Sequence, residues 1–170
     1  MNQRDIVHVR KIGLADLPGL ARLCKAHAAY EHAEWREANQ LSRWETAFFA
    51  ERPVLHGWVA ETAGVLVGFM TVTVDYATWS AAHFAHMDCL FVDADYRGAG
   101  IGQQFITRLQ DFCRERGYDH AQWQTPPDNA SGIAFYRRMG ASSKPKLRFF
   151  LDCPVPATAR QSEHDEHDEH

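Results

Sequence analysis

Apolar residues recur along the chain with two different periods, and the order of these periods predicts the architecture. Short runs rich in β-branched and aromatic residues predict strands, whereas apolar residues three or four positions apart predict helices. Strands are expected at 6–10, 54–61, 65–74, 83–92, 121–125 and 146–151. Helices are expected after Asp16, Ser42, Gly102 and Asn129. This order predicts an α/β (α+β) fold, with a mixed, mostly antiparallel central sheet flanked by helices on both faces.

Short polar signals set several element boundaries. Asp16 is a candidate N-cap of the first helix, and Ser42-Arg43-Trp44-Glu45 has the spacing of a capping box. Thr62-Ala63-Gly64 lies between two predicted strands and predicts an antiparallel hairpin. Gly117 follows the third helical pattern and predicts its end.

Length and composition are those of a single-domain globular protein. The 170 residues can bury a core, and no apolar run is long enough to span a bilayer. The N-terminus has no signal-peptide pattern. Four scattered cysteines form no CxxC pair, which predicts reduced thiols. We therefore expect a cytoplasmic protein that does not bind membranes.

The C-terminal residues determine the sign of the net charge. Positions 163–170 hold five acids and no Lys or Arg, so the net charge of −4 becomes +1 without them. Because the remaining chain has no basic cluster, nucleic-acid binding is not expected. We predict a folded domain over 1–153 and a disordered acidic, His-rich tail over 154–170. The tail histidines at 164, 167 and 170 have a spacing that could serve a transition metal, but a solvated tail accounts for them and no metal is assigned.

The segment from Cys89 to Gly102 has the composition of an anion-binding site. An apolar strand and a short acidic turn lead into Arg97-Gly98-Ala99-Gly100-Ile101-Gly102, which opens a helix. Glycines allow positive φ and close backbone approach, and a helix N-terminus attracts phosphate. Arg97 can add a charge-assisted hydrogen bond to a diphosphate. A tight turn without a ligand would explain the glycines alone, but not the arginine beside them. The glycine spacing matches neither the dinucleotide fingerprint nor the P-loop.

Arg97-x-x-Gly100-x-Gly102 resembles the acyl-CoA signature of the GNAT superfamily of N-acetyltransferases, Gln/Arg-x-x-Gly-x-Gly/Ala. Residues 129–141 resemble a later family segment, N-x-x-A-x-x-F-Y-x-x-x-G-A, with Gly132 in place of a small alanine. The resemblance implies that acetyl-CoA is the co-substrate, that transfer is direct, and that no metal takes part. It implies that the loop holds the pyrophosphate and that the preceding strand holds the pantetheine arm. The implied contacts are Leu90, Phe91, Val92, Arg97, Gly98, Ala99, Gly100, Ile101 and Gly102.

Two residues of the later segment acquire roles by the same resemblance. Tyr136 would be the general acid that protonates the departing CoA thiolate, although its spacing from Ile133 and Met139 also fits a core aromatic residue. Asn129 would contact CoA or would only cap its helix.

Acetylation of an amine also needs a group that handles a proton. An alkylammonium, with a pKa of roughly 10.4, must lose a proton before it can attack a thioester. Asp88 and His86 are the two candidates, and strand alternation predicts that they share one face with Leu90 and Val92. Cys89 is expected on the opposite face, as a small buried hydrophobe rather than a nucleophile.

Within the superfamily, the chain resembles the diamine and polyamine (spermidine/spermine, thialysine) acetyltransferases. Its matching segments are Ala28-Ala29-Tyr30-Glu31, Asp75-Tyr76-Ala77-Thr78-Trp79 and the strand that begins at Met87. This likeness implies that Glu31, Tyr76, Trp79 and Asp88 surround a cationic substrate by ion pairing and cation–π contact. Packing at a hairpin edge would explain Tyr76 and Trp79 as well. Cys89 replaces a second family acid, which favours a small amine over a long polycation.

The prediction is therefore a transferase of the acyltransferase class that acetylates a primary amine of a small molecule. Two alternatives stay open at this point: a protein lysine or N-terminal acetyltransferase, and a CoA-binding module without transfer activity. Members of the superfamily are often dimers, so the resemblance also suggests a homodimer.

Overall fold

A five-stranded sheet, whose strands pair in the order in which they occur along the chain, forms the centre of the molecule. The computed structural model describes residues 6–156. The strands are β1 (His8–Lys11), β2 (His56–Thr62), β3 (Val65–Ala77), β4 (Ala82–Val92) and β5 (Ala121–Gln122). Strands β1 to β4 pair antiparallel, and β5 pairs parallel with β4. The parallel step requires a crossover connection, which a helix supplies.

Within residues 6–156, four α-helices cover the two faces of this sheet. They are α1 (Leu17–Tyr30), α2 (Gln40–Phe49), α3 (Ile101–Arg116) and α4 (Ala130–Arg138). Helices α1 and α2 bury Leu20, Leu23 and Phe48 in one core cluster with Phe69 and Phe91 of the sheet. The other cluster combines α3 with the opposite face, and side chains of α4 pack against it. Its members include Ile101, Phe105, Leu109, Met70, Val72 and Met87. The predicted fold class, a mixed sheet with helices on both faces, is confirmed.

Phe105 of α3 packs against Gly68 of β3. A Cβ added to Gly68 would lie 2.8 Å from the carbonyl oxygen of Phe91 and 3.2 Å from the ring of Phe105. The ring of Phe105 therefore fills the space that a side chain at position 68 would need. This contact sets how closely the helix approaches the two strands.

The local signals were right at some boundaries and wrong at others. The β2–β3 turn has positive φ at Ala63 (48°) and Gly64 (77°), as a two-residue type I′ hairpin requires. Gly117 ends α3 in the left-handed conformation. The capping-box prediction is wrong, because α2 already begins at Gln40 and no side chain caps it. Asp16 precedes α1, but its carboxylate accepts hydrogen bonds from the Gly13 amide and the Arg10 guanidinium instead.

The chain divides at Gly140 into two compact units. The described part of the second unit, 141–156, contains no helix or strand, so the strand predicted at 146–151 is wrong. Leu147, Phe149, Phe150 and Leu151 have the composition of a strand but are exposed. Apolar composition alone does not make a strand, because a strand exists only where a neighbour pairs with its backbone. The histidines at 164, 167 and 170 lie outside the described residues. Within 6–156, no helix combines the length and the apolar character that crossing a bilayer requires.

Candidate active site

Strands β4 and β5 separate after two residue pairs, which opens a cleft in the sheet. The only pairs between them are Ala85↔Ala121 and His86↔Gln122. From Met87 to Val92, β4 therefore has no neighbouring strand on its β5 side in the part of the chain that the structure describes. Backbone N–H and C=O groups on such an edge need partners, and an extended ligand with amide groups can supply them.

A β-bulge in β4 lies at the mouth of this cleft. Asp88 is the extra residue, between the pairs Met87↔Val72 and Cys89↔Thr71. A bulge reverses the alternation of side chains beyond it. Met87 and Leu90 consequently contact the same core cluster, although they are three residues apart.

The bulge overturns the predicted strand face. Leu90 and Val92 pack on the α3 side, whereas His86, between the inward-facing Ala85 and Met87, must point to the other side. The hydroxyl of Thr73 lies 3.2 Å from His86 Nδ1. Asp88 is exposed, and its charge affects the pKa of the Cys24 thiol in α1, which places its carboxylate on the α1 side.

Cys89 lies beside Asp88 rather than opposite to it, which is a second consequence of the bulge. Its Sγ is 3.6 Å from Asp88 Oδ2. Burial, and then the Asp88 carboxylate, raise the pKa of the Cys89 thiol to about 12. A thiol with this pKa supplies little thiolate at neutral pH, and the thiolate is the nucleophile of cysteine chemistry. The interpretation of Cys89 as a small, largely buried residue fits these observations.

We expect the Cys89→Ala enzyme to retain at least about half of the wild-type kcat, since no thiolate is required for direct transfer. The measurement is steady-state turnover with acetyl-CoA and the best acceptor amine. A loss of about a hundredfold or more, with folding intact, would indicate covalent catalysis through Cys89.

The glycine-rich loop that follows β4 leaves the N-terminus of α3 open. Gly98 and Gly100 have φ of 77° and 80°, and a Cβ added to either would meet nothing within 4 Å. These two glycines are therefore needed for backbone conformation, and they leave free space around them. Gly100 is the N-cap of α3 and has no side chain to cap it, so the first-turn N–H groups can face a ligand. These groups and the helix dipole fit a diphosphate.

Arg97 is held beside this loop by β4 and α1. Its Nε donates to the carbonyl oxygen of Val92 at 2.8 Å. Its guanidinium carbon lies 4.6 Å from the ring centroid of Tyr30 and 5.6 Å from that of Phe91. The terminal nitrogens make no hydrogen bond to other described residues, which leaves them for an anion.

The other two residues of the loop signature serve packing. The Ile101 side chain is buried in the core. A Cβ at Gly102 would lie 2.9 Å from the ring of Phe135 in α4, so this glycine allows α3 and α4 to approach. The cofactor contacts predicted at Ile101 and Gly102 can come only from their backbone groups.

Tyr136 combines the two roles that its sequence position left open. Its ring packs against the α3-side core and lies 5.2 Å from that of Trp123, in an edge-to-face arrangement. Burial, and then the charges of Glu31 and Tyr30, raise the pKa of the phenol to about 12. The phenol therefore keeps its proton at every physiological pH. It can donate a hydrogen bond to a thiolate, whereas full proton transfer is less favourable than from an ordinary tyrosine.

Asn129 is engaged within the protein. Its Oδ1 accepts from the Gly132 amide at 3.3 Å, which caps α4, and from the Tyr30 hydroxyl at 3.1 Å. Its Nδ2 donates to Thr125 at 2.8 Å. A Cβ at Gly132 would collide with the Asn129 amide, which explains why glycine stands where the family segment has alanine. These contacts account for Asn129 as a cap, and a contact with CoA stays a prediction.

Two residues near the end of α1 were missed by the sequence analysis. His27 stacks on Phe91 with ring centroids 5.2 Å apart, and its Nε2 lies 3.2 Å from Glu31 Oε1. Tyr30 lies under Arg97 and reaches Asn129. Only the i,i+4 spacing of His27 and Glu31 could have indicated this pair, and that spacing is common on exposed helix surfaces.

The predicted aromatic part of the substrate site lies away from these residues. Trp79 is fully exposed in the β3–β4 turn, and Tyr76 packs its ring edge against His83, with centroids 4.9 Å apart. His83 is five residues from Asp88 on β4, which is roughly 17 Å along a strand. The structure thus brings together Glu31, Tyr136 and the loop, but places Tyr76 and Trp79 at the far end of the hairpin.

Comparison with known proteins places this site in a family. The profile of the Acetyltransferase (GNAT) family matches residues 20–141. The thialysine N-epsilon-acetyltransferase of Bos taurus is 24% identical over 147 residues, which cover 79% of this chain and 84% of that protein. An uncharacterized N-acetyltransferase of Methanocaldococcus jannaschii is 25% identical over 145 residues, which cover 84% of this chain but only 64% of the relative.

A solved structure has the same fold. It is that of an aminoglycoside N-acetyltransferase in complex with CoA, which superposes with a TM-score of 0.74 at 18% identity and covers 89% of this chain and 98% of that one. The prediction made from residues 97–102 and 129–141 is confirmed: the chain belongs to the acetyltransferase (GNAT) family.

Proposed function

We propose that this protein transfers an acetyl group from acetyl-CoA directly to a primary amine of a small molecule. The observation that supports this most strongly is the open edge of β4, which leads straight into the glycine-rich loop. An extended amide-containing arm and a diphosphate have complementary groups there in the correct order.

The residues that we propose to bind acetyl-CoA form two groups. The backbone groups of Leu90 and Val92 offer hydrogen bonds along the cleft, whereas those of Phe91, a third predicted contact, pair with Phe69 of β3. Arg97 and the backbone N–H groups of residues 98–102 face the diphosphate. When bound, acetyl-CoA supplies the activated acetyl group. Tyr136 donates a hydrogen bond to the sulfur that leaves.

Acidic side chains define the proposed acceptor site. Asp88 is exposed at the bulge beside the cleft, and Glu31 is near enough to Tyr136 to raise the pKa of its phenol. Two carboxylates near the proposed reacting centre attract an ammonium group and orient it. One relative is named for the acetylation of thialysine, and one similar structure is that of an aminoglycoside acetyltransferase. Both names support an amine as the acceptor. A diamine or an amino-acid-like amine is the acceptor we propose.

Arg97→Ala is expected to weaken acetyl-CoA binding by about tenfold to a hundredfold, since a charge-assisted contact to phosphate is worth roughly 1.5–3 kcal/mol. The Kd is measured by calorimetry with CoA. Arg114→Ala is the matched control, because this arginine pairs with Asp111 on α3. An unchanged Kd in the Arg97 variant would contradict its assignment to the diphosphate.

The proposed reaction is tested by release of free CoA from acetyl-CoA with a panel of amines. The panel holds 1,3-diaminopropane, spermidine, thialysine, an aminoglycoside and a lysine-containing peptide. We expect turnover with the small amines and little with the peptide. Preference for the peptide would favour a protein acetyltransferase. Tight CoA binding without turnover of any amine would favour a binding module.

A further inference from the structure

We propose that Glu31 and His27 form a proton relay that receives the proton lost by the acceptor amine. This inference rests on the proposed function, and it identifies a proton acceptor in α1 rather than in β4, where the sequence analysis placed it.

The first support is the arrangement of the pair itself. His27 Nε2 lies 3.2 Å from Glu31 Oε1, one helical turn away. The side chain of Glu31 is 39% exposed and that of His27 is 16% exposed. Glu31 can therefore meet a solvent-borne ammonium, while the imidazole lies behind it.

The second support is the aromatic packing that fixes the orientation of the imidazole. Its ring is nearly parallel to that of Phe91 (26°) and meets Phe69 edge-on, with centroids 5.9 Å apart. These two rings hold His27 in the orientation that places Nε2 toward Glu31. A histidine that served only as a core residue would not need a carboxylate partner at the solvent side.

The third support is the position of the pair between the two halves of the candidate site. The charge of Glu31 affects the Tyr136 phenol, and Tyr30, its neighbour, reaches Asn129 in α4. On the other side, Asp88 acts on Cys24, which lies one turn before His27 on the same face of α1. An amine that reaches the reacting centre therefore passes close to Glu31.

His86 is less suited to the same task. It lies in the part of β4 that is still paired with β5, and it faces the hydroxyl of Thr73. Asp88 can bind the ammonium, but a carboxylate alone is far too weak a base to hold a proton from a group with a pKa of roughly 10.4. Imidazole is the side chain best suited to accept a proton near neutral pH.

Charged groups of both signs surround His27. Glu31 and, at a greater distance, Asp88 are negative, and Arg97, whose guanidinium lies 5.6 Å from the Phe91 ring centroid, is positive. The same elements also carry Arg22 and Lys25 on α1 and His86 on β4. The thiols of Cys24 and Cys89 and the phenol of Tyr136, whose pKa values burial raises to about 12, are neutral at pH 7.

The first proton of the ammonium reaches solvent through Glu31 and His27. An N–H bond of the ammonium breaks and an O–H bond forms on Glu31. That proton then moves to Nε2 of the His27 tautomer that carries its hydrogen on Nδ1, which yields the imidazolium and restores the carboxylate. The neutral amine attacks the thioester carbonyl, the C–S bond breaks, and the sulfur leaves as a thiolate that accepts the Tyr136 hydrogen bond. The attacking nitrogen then loses its second proton and the thiolate takes up one proton, so that the products are the neutral amide and the CoA thiol. The imidazolium returns its proton to solvent.

The test is the pH profile of kcat/KM between pH 6 and pH 10, measured with the panel amine that the wild type uses best. His27→Gln keeps a polar side chain beside Glu31 that cannot take up the proton, and His27→Phe keeps the aromatic stack. At pH 7, we expect both variants to lose at least about tenfold in kcat/KM, since general base catalysis is worth roughly 10²–10⁴-fold. Near pH 10 they should approach the wild type, because the free amine is then abundant. His8→Gln, on β1 at the opposite edge of the sheet, is the matched control and should follow the wild type throughout.

Two further measurements separate a relay from a structural role. Glu31→Gln should show the same pH-dependent loss, and the double variant Glu31→Gln/His27→Gln should lose no more than either single variant, since the two residues act in one path. Added imidazole should restore part of the neutral-pH turnover of a His27→Ala enzyme. A loss that is equal at all pH values would overturn the relay, as would an unchanged profile in both His27 variants. Such results would leave the proposed function standing if the wild type acetylates the amine, whereas no turnover by the wild type would refute both.

Discussion

The Tyr136→Phe enzyme is expected to turn over about a hundredfold more slowly than the wild type, since general acid catalysis by a positioned group is worth roughly 10²–10⁴-fold. The substitution removes only the hydroxyl, and the ring keeps its edge-to-face contact with Trp123. The Kd for acetyl-CoA should therefore stay within about twofold of the wild-type value. The hydroxyl acts on the sulfur only as it leaves, so its removal does not weaken the binding of acetyl-CoA before the reaction. Both quantities are measured on the same preparation, kcat by release of free CoA and Kd by calorimetry.

The pH dependence of the wild type sharpens this prediction. Because the pKa of Tyr136 is raised to about 12, its proton is present throughout the accessible range. Its deprotonation therefore cannot produce a fall in kcat on the alkaline side below about pH 11. Tyr118→Phe is a matched control, because Tyr118 packs on Phe112 away from the cleft. Wild-type kcat in the Tyr136→Phe enzyme would exclude the phenol from the chemistry.

Phe105→Ala is expected to destabilise the protein by about 3–5 kcal/mol, a large part of the roughly 5–15 kcal/mol that holds a domain together. Phe105 is 0% exposed, and its ring fills the space above Gly68 where α3 approaches β3 and β4. Truncation to alanine would leave a cavity beside Gly68, and this glycine has no side chain that could fill it. The melting temperature should fall by about 10 °C or more.

This prediction is checked by urea denaturation and by thermal unfolding followed by circular dichroism. Phe49→Ala provides the control, because Phe49 is 40% exposed on α2 and should cost less than about 1 kcal/mol. A loss of under about 1 kcal/mol in the Phe105 variant would mean that α3 is not held to the sheet by this ring.

The sequence was sufficient for the architecture because the relevant signals are local. The β2–β3 hairpin follows from Ala63 and Gly64, which take the two positive φ angles that the turn needs. The open N-terminus of α3 follows from Gly98 and Gly100, which leave the space beside this N-terminus free of side chains. Each of these features depends on residues close together in the chain.

The candidate site was predicted less completely, because its details depend on long-range contacts. A single extra residue at Asp88 reverses the strand faces, and no periodicity of two residues can reveal that. His27 acquires its surroundings from Phe69 and Phe91, which are more than forty residues away. The segment 146–151 shows the opposite error, since its composition favours a strand but nothing in the described chain pairs with it.

The glycine at position 102 has a different cause from those at 98 and 100, because it stands against Phe135 of the neighbouring helix. A gene duplicate that had stopped using acetyl-CoA would still keep Gly102 for packing and Gly98 and Gly100 for their positive φ, whereas Arg97 would be free to drift. Such degenerate copies would keep the most visible part of the signature. Position 97, rather than the three glycines, is therefore the one that should distinguish active enzymes from silent copies in genome surveys.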